Sequence, residues 1–265
     1  MSPDIGAPAG SGTFAPAPGA APVARQLLTQ AGMEARLMLR NGEQLLLAVV
    51  IPVIVLVGAV RSADRLDLGI DGRPVDVLTP GVLALAVMST AFTSLAIATG
   101  FERRYGVLKR LGTAPLSRTT LLGGKVAALL AVEVVQFVVI GGVGLALGWD
   151  GPDGFVGVLA VVLAALCGTA AFASLGMLIA GTLRAEATLA AANLVYLLLL
   201  AGGAVILPVS TYGGLGEVVQ WLPSGALGEA MRSASDGVVA VRDLLVLVAW
   251  AAVGSVLTAR TFQWE

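Results

Sequence analysis

The sequence predicts an all-α integral membrane protein. Three observations carry that reading: composition, long runs without charge, and basic residues gathered on alternate connections. Hydrophobic residues make up 57% of the 265 positions and charged residues 12%, against about 45–50% and about 25% in a soluble domain. Mean hydropathy is +0.91. So few charges cannot cover a water-facing surface, which excludes a disordered chain and argues against a soluble enzyme. A net charge of −1 offers no field for nucleic acid, so no nucleic-acid partner is expected. There is no His, and Cys167 stands alone. The commonest general base, an internal disulfide and a Cys-cluster metal site are all missing, so neither catalytic nor metal-ligating residues are expected.

The runs set the architecture. A spanning helix needs about 20 mostly apolar residues. Residues 81–101, 155–183 and 187–209 hold no charge, and 126–149 hold one, Glu133. Shorter runs cover 45–60 and 244–259, and both reach bilayer thickness by including polar neighbours whose ends snorkel. Six spans are expected near 44–60, 79–101, 124–149, 155–183, 187–208 and 243–260; an interfacial position for one short run would leave five.

Orientation follows from Lys and Arg. With six spans both termini share a side, which collects 11 of the 16 basic residues: Arg25, Arg36 and Arg40, then Arg103 to Lys125, then Arg184 and Arg260. Positive charge stays inside, so both termini are expected in the cytoplasm. Asp64, Asp67, Asp71, Asp76, Asp150 and Asp153 fall on the outer side.

Residues 1–23, rich in Ala, Pro and Gly, read as a disordered tail. Residues 24–43 follow as a helix on the cytoplasmic face. Its Leu27, Leu28, Ala31, Ala35 and Met38 recur at helical spacing between charges, as in an amphipathic interfacial helix. The remainder, 44–265, is the six-span domain, with Pro52 as a kink in its first span.

The cytoplasmic segment 102–123 is dense in signals. Glu102, Arg103, Arg104, Lys109 and Arg110 surround Val107, Leu108 and Leu111, a pattern for a short amphipathic helix. Thr113-Ala114-Pro115 breaks it, and Ser117 is placed to cap the next helix.

Here the chain resembles the permeases of type-2 ABC transporters. The run Glu102-Arg103-Arg104-Tyr105-Gly106-Val107-Leu108-Lys109-Arg110-Leu111, then Thr113-Ala114-Pro115-Leu116-Ser117 and Gly124-Lys125, is similar to that family's E-R-x-x-G-T-L-K-x-L, T-P-L-S and Gly-Lys pattern. Val107 stands where Thr is common. Leu222-Pro223-Ser224 through Glu229-Ala230-Met231-Arg232 resembles the family's Pro-containing segment before the last span. The resemblance covers about residues 24–265. It implies a dimer of permease subunits, homodimeric or with a related chain, in lipid, paired with two cytoplasmic ABC ATPase subunits that bind ATP and Mg. This chain binds no cofactor: Gly123-Gly124-Lys125 lacks the earlier Gly and the following Ser or Thr of a phosphate loop. The resemblance gives docking on the ATPase to Glu102, Arg103, Arg104, Tyr105, Gly106, Lys109 and Arg110, with Arg36 and Arg40 as helpers. A short rigid helix there can pass a rigid-body movement to the spans.

Within the membrane Glu133 stands out, because a charge at the bilayer centre costs about 2.5–3.5 kcal/mol on insertion scales. It reads as a transport residue, a protonated or interfacial Glu, or the partner of a base such as Arg36. Asn193 and Tyr196 lie near one face of the fifth span, lining a path or bonding between helices. Gly144 and Gly148 fit small-residue packing, as does Cys167. Segment 209–242 is too apolar for a hydrated loop: Val218, Val219, Trp221, Leu222, Ala226, Leu227 and Met231 sit between Gly and Pro breaks. Short re-entrant helices on the outer side are expected, with Trp221, Leu222 and Pro223 as an outer gate or an interfacial cap.

The expected function is the membrane subunit of an ABC exporter, itself not an enzyme, moving an amphiphilic drug, lipid or lipid-linked cargo outward. Arg outnumbers Lys 14 to 2, and the expected location is a bacterial plasma membrane. The rival readings are a stand-alone secondary transporter using Glu133, and a membrane enzyme.

Overall fold

The computed structural model describes residues 21–40, 42, 46–66, 72–111 and 117–262. The tail 1–20, Asp67, Asp71 and the Thr113-Ala114-Pro115-Leu116 motif lie outside the described residues.

The described chain is helical throughout and has no strand. Helix α1 is Val23–Arg40. A π-type turn at Leu46–Val50 runs into α2, Ile51–Leu66. Helix α3, Pro74–Met88, passes through a second π-type segment, Ser89–Ser94, into α4, Leu95–Arg104. Short α5 is Val107–Leu111. Then come α6, Arg118–Ala146, α7, Gly154–Thr182, and α8, Ala185–Gly202. A 3-10 turn at Val209–Leu215 and α9, Gly216–Val219, precede α10, Pro223–Ser235, and α11, Val241–Thr261.

Five stretches are long and apolar enough to cross a membrane: Pro74–Arg104, Thr119–Ala146, Gly154–Thr182, Ala185–Gly202 and Val241–Thr261. The first expected span corresponds to a shorter apolar helix, Ala48–Ala63. Boundaries moved where local chemistry overrode hydropathy. Pro74 at the first turn starts α3 ahead of residue 79, since the missing N–H costs nothing there. Ser117 caps α6, its Oγ accepting from the Thr120 amide at 3.1 Å, so this helix begins before residue 124. The fifth span, expected to reach 208, leaves the helix at Gly202.

Helix α7 is the centre of the bundle, touching α3, α4, α6, α8, α10 and α11. Lipid is as apolar as leucine, so helices associate here by close fit rather than by expulsion from water. The α7 sequence suits that. Ala160, Ala164, Ala171 and Ala180 are buried small residues, and Phe172 meets Phe92 edge-on at 6.3 Å between ring centres. Leu227 and Met231 of α10 and Leu247 of α11 complete the core. Helix α8 is peripheral: Leu194, Leu197 and Leu198 are exposed. Helix α1 lies along α6, burying Gln30 and Ala31.

Candidate functional site

The charged end of α4 forms an ion cluster with two other helices. Lys125 of α6 sends its Nζ to Glu102 Oε1 at 2.7 Å and to Glu34 Oε1 of α1 at 2.9 Å. The ammonium is buried at 5% exposure, and Gln30 Nε2 donates to the same Glu34 oxygen at 3.0 Å. Gly124 permits the geometry: a Cβ there would lie 2.5 Å from the Gln30 side chain and hold α1 off α6. The second Glu102 oxygen, Oε2, is buried and has no hydrogen-bond partner among the described residues. A cavity of about 300 Å³ opens beside the cluster, lined also by Leu37, Met38 and Ala98.

The next residues tie α4 to the α7–α8 corner. Arg103 donates to the carbonyl of Gly181 at 2.6 Å and to that of Leu183, satisfying orphan carbonyls at the end of α7. Arg104 pairs with Glu186 in the first turn of α8 and stands over the Tyr105 ring at 5.9 Å. Tyr105 stacks on Phe101. Gly106 then takes φ +68°, a left-handed turn that other residues rarely adopt, and redirects the chain into α5. Leu108 of α5 is buried, while Lys109 and Arg110 are exposed, as are Arg36 and Arg40 on α1. The expected docking residues therefore divide. Glu102 and Arg103 are half-buried, as is Gly106 at the turn; Arg104, Tyr105, Lys109, Arg110, Arg36 and Arg40 are exposed.

Glu133 is buried between α6 and α7 at 3% exposure. Thr169 Oγ1 lies 2.7 and 2.9 Å from its carboxylate oxygens and 2.8 Å from the Ala165 carbonyl. Among the described residues no Lys or Arg side chain forms an ion pair with it. One hydroxyl proton serves one of these three acceptors, so a proton donor at position 133 completes the chain of bonds. Glu133→Gln supplies such a donor and is expected to keep the unfolding midpoint of the wild type. Thr169→Val, which strands the carboxyl, is expected to lose about 1–3 kcal/mol. Thermal unfolding in detergent reads both.

One turn along α6, Gln136 is fully buried. Its Nε2 donates to the Ala48 carbonyl at 2.7 Å and to Thr90 Oγ1 at 2.8 Å. Ala48 and Thr90 sit in the two π-type segments, so one amide joins both irregular turns. Asn193 is exposed on α8 and Tyr196 is half-buried. Among the described residues no hydrogen bond links either of them to Glu133.

In the connection before α11, Arg232 of α10 is nearly buried. It donates to the carbonyls of Ala204 at 3.1 Å, Val205 at 3.3 Å and Ile206 at 3.1 Å, and to Glu229 at 3.0 Å. Glu229 also accepts from the Val209 amide at 2.8 Å. This clamp gives the reason that α8 ends early: the carbonyls after Gly202 bond to a guanidinium rather than to a further turn. Ala204 adopts φ +53° inside the clamp. Burial pulls the Arg232 pKa below its ordinary value, and the Glu229 carboxylate opposes that shift. Leu222 precedes α10 and Pro223 is its buried first residue. Trp221 is half-exposed, and its carbonyl accepts from Trp250 Nε1 at 2.8 Å. An apolar crevice of about 520 Å³ runs beside Trp221 and Trp250 along α11. Just before α3, Arg73 bridges Asp76 and Asp150 at 2.7 Å each; the Asp76 hydrogen bond, chiefly, raises its pKa.

The sequence did not single out Glu34, Gln136 and Thr169, and it marked Lys125 as a cytoplasmic base and part of the Gly124-Lys125 motif, not as the centre of an ion cluster. Gln136 carried a signal, being the second polar residue of an apolar run at three-residue spacing from Glu133. Thr169 carried none, because its partner is remote in the chain.

Together these features define a multi-pass membrane protein with an ordered charged corner where its helices end. Residues 75–260 match the family model described as ABC-2 family transporter protein. The chain belongs to that family, the permeases of ABC-2 type transporters, whose members associate with ABC ATPase subunits. No curated protein matches it.

Proposed function

We propose that this chain is the membrane-spanning subunit of an ATP-driven exporter, without a nucleotide site of its own. The supporting observation is the charged corner. Exposed Lys109 and Arg110 sit on a short helix that Gly106 sets at the end of α4, and the cluster of Glu102, Lys125 and Glu34 links that end to α1 and α6. A partner ATPase that moves α5 moves three helices at once. Helix α2 serves as the first of six spans. Helix α1 lies on the cytoplasmic face of a bacterial plasma membrane, with Leu28 and Leu37 toward lipid and Arg36 and Arg40 toward water, and both termini are cytoplasmic. Asn193, exposed on an apolar helix, is met by a second permease subunit, the same chain or a related one, because a bare amide in hydrocarbon is costly. Between two such subunits the lining is mainly apolar, which suits an amphiphilic drug, lipid or lipid-linked cargo. The helices Gly216–Val219 and Pro223–Ser235 form the outer cap, with Trp221, Leu222 and Pro223 at its mouth.

The test is co-expression with the ABC ATPase encoded beside this chain, purification by a tag on the permease, and assay of ATP hydrolysis in lipid vesicles. A stable complex with vanadate-sensitive turnover is expected. Lys109→Glu combined with Arg110→Glu is expected to abolish the complex while leaving the permease folded. Failure of any ABC ATPase to bind the wild type overturns the reading.

A further inference from the structure

We propose that the cavity between α1, α4 and α6 binds an amphiphilic amine, its ammonium against Glu102 and Glu34 and its apolar body alongside. The cavity has about 300 Å³ and two unlike parts. One part is charged, with Glu34, Glu102 and Lys125. Both bonds of the lysine go to Oε1 atoms, at 2.7 and 2.9 Å. Glu102 Oε2 takes no part in them; it is buried and has no hydrogen-bond partner among the described residues. A buried carboxylate oxygen without a donor is costly, and such an atom in a native structure calls for a bound species. Two carboxylates against one ammonium also leave this part of the lining negative. An anion is refused, because Lys125 is only 5% exposed and already answers both carboxylates. A donor that carries positive charge meets both needs.

The walls select the rest of the ligand. Leu37, Met38, Leu95 and Leu129 make the remainder of the lining apolar, and a flexible methionine adapts to varied shapes. Ser94 lines the cavity too, eight residues before Glu102, or about 12 Å along the helix at its ordinary rise. Ala98 lies midway and is exposed, and its methyl group leaves the space open. One apolar spanning stretch ends at Arg104 and the next begins at Thr119. The charged part therefore sits near a membrane boundary, and the apolar walls run from it into hydrocarbon. An amine with one aryl or alkyl body matches that order, whereas a diacyl lipid is too large for the volume. The inference deepens the exporter reading by giving its cargo a positive charge, and rests on that reading for the direction of transport alone.

The full chain, in nanodiscs of phosphatidylcholine and without any ATPase, is dialysed against radiolabelled phenylbutylamine, with empty nanodiscs as the blank. Saturable binding is expected, about ten-fold tighter than that of phenylbutanol, which has the same body and no charge. Glu102→Gln is expected to lower the amine affinity about ten-fold and to leave that of the alcohol unchanged. Ala98→Leu fills the cavity from an exposed position, keeps the ion cluster, and is expected to abolish binding of both. Exchange of phosphatidylcholine for phosphatidylethanolamine is expected to leave the amine bound. Equal affinity for amine and alcohol overturns the proposal, as does tighter binding of anionic phenylbutyrate. Displacement by phosphatidylethanolamine overturns it in favour of a lipid headgroup. Binding that survives Ala98→Leu puts the amine elsewhere and overturns it as well. An ATPase complex that forms as expected while the amine fails to bind refutes this site and leaves the exporter reading intact.

Discussion

Lys125→Met is expected to cost the permease about 3–5 kcal/mol, the range for breaking a buried ion pair from one side. The ammonium answers two carboxylates, with Glu34 at 13% exposure and Glu102 at 22%. Its removal leaves two negative charges facing each other across the contact of α1, α4 and α6. Most of the loss is therefore the cost of the abandoned carboxylates rather than the worth of the bond. Lys125→Met with Glu102→Gln tests that directly: Glu34 keeps its bond from Gln30, and the double variant is expected to recover most of the stability. Unfolding midpoints of the single and double variants in one detergent supply the comparison. A double variant no better than the single one means that the lysine acts by packing alone.

The second large effect is expected at the clamp between α8 and α10. Arg232→Leu removes the donor to three consecutive carbonyls and unpairs Glu229, for a loss of about 3–5 kcal/mol. Arg232→Lys is expected to fall between, because a single ammonium cannot span Ala204 to Ile206 as a planar fork does. The damage is local. Ala204 holds a left-handed conformation that this clamp sustains, so the segment 203–222 is expected to open first. Limited proteolysis reads that opening as new cleavage between Gly203 and Leu222, while the cores of α3 and α7 stay protected.

What the sequence made legible follows the physics of each feature. Hydropathy located the long helices well, because a run without charge is a local property. It placed the end of α8 too late, because residues 203–208 are as apolar as the helix before them; only Arg232, remote in sequence, draws their carbonyls out of the ladder. Family resemblance picked out Glu102, Arg103 and Arg104 as one surface. Spatially, the first turns to Lys125 and the second to the end of α7, neither of which a linear motif encodes. Glu133 announced itself by cost, yet Thr169 looked like any small polar residue among alanines. Glu34 is one charge among several on α1, and only its approach to Lys125, which Gly124 permits, sets it apart.

The π-type segment Ser89–Ser94 has a geometric consequence for everything beyond it. Such a turn holds an additional residue relative to an α-helix, and one residue corresponds to about 100° of rotation around the axis. The two halves of Pro74–Arg104, before and after this segment, therefore share a direction but not an angular phase. A single helical wheel drawn through the whole stretch puts Glu102 on the wrong side. With the offset in place Glu102 meets Lys125, and Arg103 and Arg104, on the adjoining azimuths, reach α7 and α8. The corner's bearing is thus set ten residues away, by how tightly the backbone winds beside Thr90 and Gln136.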